Sequence, residues 1–198
     1  MTVSVVYWVE QQQKTVQTDH DIIRQCQGGN KEAFRWVVQN HQRLVFSVAL
    51  KMLADEEEVK DVVQETFIRV WQRIGDYDPQ KAFTTWLYTI ASRLCLDRLK
   101  HARRNVPLPE DESVLQRFAD NDSQRTLENS EWVAIVRVLA DGLSPKQKLV
   151  FTLCQLEGLP SAEVEQITGL DAKQVKSNLY VARQTIRKRL IHLGYEEH

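Results

Sequence analysis

The sequence of 198 residues predicts an all-α protein: two small helical domains joined by a flexible acidic linker, the second with a helix-turn-helix. Three observations support this prediction. Apolar residues recur at helical spacing through most of the chain. The pattern disappears from residue 106 to residue 130, where six acidic residues outnumber two arginines. Beyond that stretch, a short helical segment, a turn with glycine and a longer helical segment follow one another, as in a helix-turn-helix.

The composition excludes several classes of protein. With 42% hydrophobic and 27% charged residues, the chain can bury one large or two small cores. Three cysteines and five histidines are scattered without metal-ligand spacing, so we expect no metal or other cofactor. The chain has no apolar run of transmembrane length, and its first residues lack the pattern of a signal peptide. We therefore expect a cytoplasmic protein that does not insert into a membrane.

Positive charge is concentrated in two stretches although the formal net charge is only −1. Residues 81–104 contain six Lys or Arg and one acidic residue. Residues 173–193 contain six Lys or Arg and no acidic residue. Acidic residues are concentrated in residues 55–61 and in the linker. Such separation indicates that the cationic stretches have a task of their own, for which phosphate binding is the usual candidate.

The elements of the first domain begin after an N-terminal extension, residues 1–17, whose role the sequence leaves open. A short helix is predicted to end at Gly28-Gly29, and Asn30 can cap a long helix whose apolar stripe reaches Met52.

The next helix carries an apolar residue on its polar face. Val62, Phe67 and Val70 belong to its core face, whereas Ile68 lies opposite, framed by carboxylates and amides. An aliphatic residue with a polar rim predicts the centre of a protein-binding patch. The alternative is an isolated exposed isoleucine, which is common in soluble proteins.

Residues 83–104, FTTWLYTIASRLCLDRLKHARR, form the last predicted helix of the first domain. Leu87, Ala91 and Leu94 share one buried face. The other faces are expected to expose hydroxyls, a ring and cations together: Thr85, Tyr88, Ser92, Arg93, Lys100 and Arg103. Cations suit phosphates and rings suit unpaired bases, so this surface is a candidate for single-stranded nucleic acid. A solvated amphipathic helix is the alternative.

The second domain is predicted to resume at about Glu131 with one helix, followed by another that Ser144-Pro145 begins. A short helix then leads through Gly169-Leu170 into a long one that starts at Asp171. Polar and cationic residues on the outer face of this last helix suit the major groove of DNA. An ordinary helical hairpin is the alternative.

Three segments, in their order and spacing, resemble a bacterial sigma factor of the extracytoplasmic-function (ECF) group: KDVVQETFIRVW, FTTWLYTIASRLCLDRLKHARR and LSPKQKLVFTLCQLEGLPSAEVEQITGLDAKQVKSNLYVAR. The resemblance implies a protein without catalysis of its own that binds core RNA polymerase and directs promoter-specific initiation. It implies a first domain that captures the melted minus-ten strand and a second that reads the minus-thirty-five duplex. It also permits an anti-sigma partner.

The resemblance implies the following domains: an extension at 1–17, a sigma-2-like domain at 18–105, the acidic linker at 106–130 and a sigma-4-like helix-turn-helix domain at 131–198. A linker of this length spans at most roughly 80 Å, so the two domains can sit well apart.

The resemblance also implies roles for individual positions. Those expected to face core RNA polymerase are Asp61, Gln64, Glu65, Ile68 and Arg69. Those expected at the minus-ten DNA are Lys81, Thr84, Thr85, Trp86, Tyr88, Ser92, Arg93 and Lys100. Those expected at the minus-thirty-five DNA are Lys173, Gln174, Lys176, Ser177, Asn178, Tyr180 and Arg183.

Three positions depart from the family's usual pattern. Lys60 stands where members usually carry an acid, and Arg93 stands near a usual asparagine. Asn178 stands where an arginine is common. Asparagine makes a paired contact with adenine whereas arginine makes one with guanine, so we expect a different promoter preference.

Two other functions compete with that of a sigma factor. A stand-alone helix-turn-helix repressor or activator would bind duplex DNA without polymerase, but it would have no evident use for the Ile68 face. A helical adaptor that binds only proteins would show no affinity for DNA and little sensitivity to salt.

Overall fold

The computed structural model describes residues 20–53, 55–105 and 142–192, and every regular element in these ranges is helical. The helices, in chain order, are residues 20–27 (α1), Lys31–Leu53 (α2), Glu56–Arg73 (α3), Phe83–Asn105 (α4), Pro145–Phe151 (α5), Ser161–Thr168 (α6) and Ala172–His192 (α7). We call α1–α4 the first module and α5–α7 the second module. The N-terminal extension, the linker and the helix predicted from about Glu131 lie outside the described residues.

Side-chain caps begin the helices where the sequence places them. Asn30 Oδ1 accepts from the backbone N–H groups of Glu32 and Ala33 at 3.0 and 3.2 Å, as predicted. Ser144 begins α5 with a reciprocal capping box to Gln147, and Pro145 occupies the first turn. Each cap satisfies backbone donors that a helix start leaves free.

The turn between α6 and α7 has the predicted chemistry. Gly169 adopts a φ of 70°, a left-handed conformation that favours glycine. Asp171 and Gln174 then form a capping box, with bonds of 3.1 and 2.8 Å between each backbone N–H and the partner's side chain. The helix-turn-helix is therefore confirmed as a local structure.

The two modules pack against each other through one apolar core. Val150, Leu153 and Val164 of the second module belong to the same buried cluster as Met52 and Leu87 of the first. The sequence allowed the domains to sit well apart, but the structure holds them in contact. Apolar faces on α4, α5 and α6 meet there, and their burial removes them from water.

A local irregularity follows α5. Residues Thr152–Leu156 form a π-helical turn, and the backbone N–H of Glu157 donates to the carbonyl of Thr152 over 2.9 Å. Such turns re-aim the following residue and often occur at functional sites. Here the residue that follows is Glu157, which points into the first module.

None of the described helices is both long enough and apolar enough to cross a membrane.

Candidate protein and nucleic-acid interfaces

An apolar groove lies between α2 and α3. Its volume is about 650 Å³, and Phe34, Phe67 and Trp71 form part of its wall. The ring centroids of Phe34 and Trp71 are 4.8 Å apart in a tilted arrangement, which gives the wall a rigid aromatic surface. Ile68 lines the groove with 47% of its surface exposed. The predicted exposure of Ile68 is confirmed, and the groove around it was not predicted.

The outer surface of α3 next to Ile68 is charged with both signs. Asp61, Gln64 and Arg69 are exposed, and Glu65 is half-buried. Arg98 of α4 reaches across to Asp61 at 3.7 Å and to Glu65 at 3.5 Å. Arg98 therefore links α4 to two of the α3 residues that the sequence assigned to a protein partner, Asp61 and Glu65.

Lys60, at the edge of the same groove, is paired within its own helix. Its ammonium lies 3.1 Å from both Glu56 and Glu57. Hydrogen bonds to these carboxylates raise the pKa of Lys60, so it stays cationic at neutral pH. This edge of the groove therefore carries a cation held between two carboxylates.

The start of α4 and the loop before it form an aromatic cluster. The ring of Tyr77 lies 5.3 Å from that of Trp86 and 5.5 Å from that of Phe83, and its hydroxyl donates to the carbonyl of Lys81. A cavity of about 890 Å³ opens beside this cluster, with Lys81 and Arg93 among its lining residues. The combination of cations and aromatic rings that the sequence predicted is therefore found around one cavity.

The expected exposure of the α4 hydroxyls is wrong. Lys81, Arg93 and Lys100 are exposed, and Thr84 and Trp86 are half-buried. Thr85, Tyr88 and Ser92 are buried, with 9%, 6% and 1% of their surface exposed. The sequence placed them correctly off the main apolar face, but a neighbouring element covers that side.

For Thr85 and Tyr88, the covering element is the second module. Thr85 Oγ1 donates to Glu163 of α6 over 2.6 Å, and Tyr88 donates to Glu157 over 3.2 Å. Burial raises the pKa of Tyr88, and the negative charges of Glu157 and Glu163 raise it further. The Tyr88 hydroxyl is therefore protonated at neutral pH and able to donate.

Glu157 is the polar centre of the contact, and sequence reasoning missed it. Its carboxylate accepts from Ser47 at 3.0 Å and from Lys51 at 2.6 Å, in addition to Tyr88. The side chains of Lys51 and Glu157 are only 17% and 11% exposed. No local pattern in the sequence marks Glu157, because its partners lie on α2 and α4 and its direction depends on the π-helical turn.

The outer face of α7 is open. The predicted residues on it are exposed, apart from a half-buried Asn178: Lys173, Gln174, Lys176, Ser177, Tyr180 and Arg183. Val175, Ala182 and Ile186 are buried on the opposite face. The Asn178 side-chain amide donates to the carbonyl of Gln174 over 2.8 Å. The seven predicted positions therefore lie together on the part of α7 between residues 173 and 183.

Comparison with protein families matches both modules in the expected order. The model of sigma-70 region 2 matches residues 37–105, and the model of sigma-70 region 4 matches residues 134–186. RNA polymerase sigma-H factor of Pseudomonas aeruginosa is 26% identical over 184 residues, which are 89% of this chain and 95% of the relative. The ECF sigma-E factor of Haemophilus influenzae is 28% identical over 184 residues, which are 87% of this chain and 95% of the relative.

This chain belongs to the ECF group of RNA polymerase sigma factors.

Solved structures agree with the fold of this sigma factor. The structure of CnrH in complex with the cytosolic domain of CnrY has a TM-score of 0.65 at 24% identity and covers 88% of this chain and 98% of its own. The structure of the sigma factor RpoE of Bartonella quintana, in complex with the anti-sigma factor NepR, has a TM-score of 0.63 at 17% identity. The match covers 79% of this chain and 96% of the RpoE chain.

As a sigma factor, the protein is a non-enzymatic RNA polymerase subunit that directs transcription initiation. Region 2, in the first module, binds the minus-ten element, and region 4, in the second, binds the minus-thirty-five element. Membership of this family decides between the functions that the sequence left open: the chain is a sigma factor rather than a stand-alone repressor or an adaptor.

Proposed function

We propose that this sigma factor attaches to core RNA polymerase through the groove between α2 and α3. Asp61, Gln64, Glu65, Ile68 and Arg69 form the contact surface. The observation that carries the proposal is the exposed Ile68 in an aromatic groove, next to a charged surface of α3. An apolar groove with anchors at helical spacing suits an amphipathic helix of the partner.

The melted minus-ten strand would lie along the loop before α4 and along α4 itself. Lys81, Arg93 and Lys100 are exposed and can bind phosphates, while Trp86 offers a ring for an unpaired base. Thr84, Thr85, Tyr88 and Ser92 would complete this surface with hydroxyls. Because Thr85 and Tyr88 are buried and bonded to the second module, their contact with DNA requires that module to move.

The minus-thirty-five duplex would be read by the outer face of α7. Its first turns carry Gln174, Ser177 and Asn178, whose lengths suit base edges in the major groove. The cations and the ring at their flanks would meet phosphates and sugars: Lys173, Lys176, Tyr180 and Arg183.

The domain limits expected from the sequence belong to the same proposal: 18–105 for polymerase and minus-ten DNA, and 131–198 for minus-thirty-five DNA, with the linker at 106–130. Polymerase and promoter are cytoplasmic partners, so we place the protein in the cytoplasm. An anti-sigma factor is a further proposed partner, as in the RpoE–NepR structure.

Run-off transcription with purified core polymerase tests the proposal. The reaction is run with and without the protein, on a library of templates with randomised upstream sequences. We expect transcripts with defined start sites that require the protein and share two upstream elements. Failure to associate with core polymerase, or association without start-site selection on any template, would overturn the proposed function.

A further inference from the structure

The loop between α3 and α4 is held in shape by hydrogen bonds within itself. Its first residues, Ile74–Asp76, form a 3-10 turn, and the backbone N–H of Tyr77 donates to the carbonyl of Ile74 over 3.3 Å. The Tyr77 hydroxyl donates to the carbonyl of Lys81, and the backbone N–H of Lys81 donates to the carbonyl of Asp78 over 3.1 Å. The loop therefore has a defined shape before a DNA strand reaches it.

A side chain from α1 also holds this loop. The side-chain amide of Gln27 donates to the carbonyl of Ile74 over 3.1 Å and to that of Tyr77 over 3.5 Å. The first distance is ordinary for a hydrogen bond and the second is long, so the bond to Ile74 is the stronger of the two. The partners lie 47 and 50 residues further along the chain, so Gln27 joins two distant parts of the first module.

The end of α1 is a firm support for Gln27. Ile23 and Cys26 anchor the helix in the core, with 2% and 1% of their surface exposed. Directly after Gln27 the chain turns, and the backbone N–H of Gly29 donates to the carbonyl of Cys26 over 2.9 Å. Gln27 therefore reaches the loop from a helix end that is both anchored and closed by a turn.

The carbonyls that Gln27 binds belong to the part of the loop that shapes the cavity at the start of α4. Tyr77 is 6% exposed, and its ring packs against those of Phe83 and Trp86. Tyr77, Trp86 and Lys81 all line the cavity. Because the Tyr77 hydroxyl also bonds to the backbone of Lys81, a shift of Tyr77 would move a ring and a cation of the cavity together.

We propose that Gln27 is a positioning residue for the minus-ten strand: it holds the loop in the shape that receives an unpaired base beside Tyr77 and Trp86. This inference rests on the proposed function of the loop and α4. A preformed site loses less conformational entropy when it binds, so it binds more tightly. It also discriminates better, because a wall that does not adapt excludes the wrong base. Gln27 acts through the loop and not by contact with DNA.

Two substitutions at Gln27 test the proposal in the holoenzyme, assembled from core polymerase and the full-length chain. Gln27→Ala removes the donor. Gln27→Glu keeps the shape of the side chain but sets carboxylate oxygens, which only accept, against the two carbonyls. Gln25→Ala is the matched control, because Gln25 is a glutamine on the same helix whose side chain bonds to Asn30 in the turn after α1.

The first measurement is base discrimination. Wild-type holoenzyme selects a strand from a randomised single-stranded DNA library, and fluorescence anisotropy compares this strand with versions changed at one base at a time. We expect both Gln27 variants to bind the selected strand roughly threefold to tenfold more weakly, on the scale of one neutral hydrogen bond. The loss should be largest for Gln27→Glu, and discrimination should decrease at one or two neighbouring bases only. Association with core polymerase should not change.

The second measurement is hydrogen exchange of the loop amides in the free full-length chain, followed by mass spectrometry of the peptide that contains residues 74–82. The amides of Tyr77 and Lys81 are hydrogen-bonded within the loop. They should exchange faster in both Gln27 variants, because the loop opens more often without its outside support. Gln25→Ala should exchange at the wild-type rate.

Three results would overturn the inference. The first is unchanged exchange of the loop amides in both Gln27 variants. The second is faster exchange together with wild-type strand affinity and base discrimination. The third is an equal loss of affinity for every strand with base discrimination intact, because Gln27 would then support the fold without shaping the site.

Failure of the proposed function gives a different result. If the wild-type holoenzyme selected no strand, the proposed role of the α4 surface would fail and the inference with it. Hydrogen exchange in the free chain would still show whether Gln27 holds the loop, so the two failures are distinguishable.

Discussion

The proposed DNA surfaces of α4 and α7 contain similar residues but differ in accessibility. Each combines cations, hydroxyls and a tyrosine on one side of a helix. Tyr180 of α7 is 64% exposed, whereas Tyr88 of α4 is 6% exposed. The residue types therefore indicate which surface suits DNA, and the packing of the modules decides when that surface is available.

The difference has a physical cause in the number of apolar faces on each helix. α7 buries one seam, with Val175, Ala182 and Ile186, and two apolar residues outside that seam, Val181 and Ile191, stay exposed. α4 is a central helix, with Leu87 and Ala91 fully buried and Ile90 only 7% exposed. A helix with apolar residues on several sides attracts a second layer of packing, here α5 and α6.

The largest expected effect comes from removing the polymerase contact that both DNA surfaces require. Ile68→Asp places a charge in the wall of the apolar groove, where its burial against a partner is unfavourable. We expect core polymerase binding to weaken by about 2–4 kcal/mol, or roughly 30- to 1000-fold. Transcription from every promoter should fall together, as measured by run-off assays and by polymerase pull-down.

Ile191→Asp is the matched control, because Ile191 is also exposed, at 56%, but lies at the end of α7. It should leave polymerase association intact. Equal losses in the two variants would argue against a special role for the groove.

A second prediction separates the open surface from the covered one. Lys173→Ala with Lys176→Ala removes two exposed cations from α7. We expect duplex affinity to fall by roughly tenfold at moderate salt and the salt dependence to decrease by about two ion equivalents. Single-strand binding by the first module should not change.

Titration of labelled duplex and single-stranded DNA at several salt concentrations checks this prediction. Lys146→Ala, an exposed lysine on α5, serves as the control. If the double variant weakened strand and duplex binding equally, the two surfaces would not be separate.

A third prediction concerns the sequence that the open surface reads. Asn178→Arg should change the preferred base at one minus-thirty-five position from adenine to guanine, by about 1–3 kcal/mol. In the free protein the Asn178 amide donates to the carbonyl of Gln174, so binding must redirect it. Selection from a randomised duplex library by the wild type and the variant measures this base preference. An unchanged consensus sequence would show that Asn178 does not read a base.

The smallest expected effect is on the reactivity of the cysteines. Cys95, on α4, is fully buried, and burial raises its pKa to about 12. Cys154, on the second module, is half-buried. Because the thiolate is the reactive form, Cys95 should be alkylated last, at a rate that rises with pH up to its pKa. Mass spectrometry after timed alkylation compares the sites, and faster reaction at Cys95 than at Cys154 would contradict the packing around α4.

Much of the fold could be predicted from sequence because its signals are local. The capping residues Asn30, Ser144 and Asp171 act within three residues of themselves, and the structure confirms all three. The exposure of Ile68 followed from its position among polar residues on a helix, and that of the α7 face followed from a regular apolar seam. The residue roles remain predictions, which the proposed experiments test.

Sequence alone determined the helices, their caps, the helix-turn-helix and the order of the two regions. Tertiary structure alone decided that Thr85 and Tyr88 are covered, and that Glu157 holds the modules together. The partners in these contacts are separated by 78 residues for Thr85–Glu163, 69 for Tyr88–Glu157 and 106 for Lys51–Glu157. Helical periodicity relates residues three or four positions apart, so it contains no information about such distant pairs.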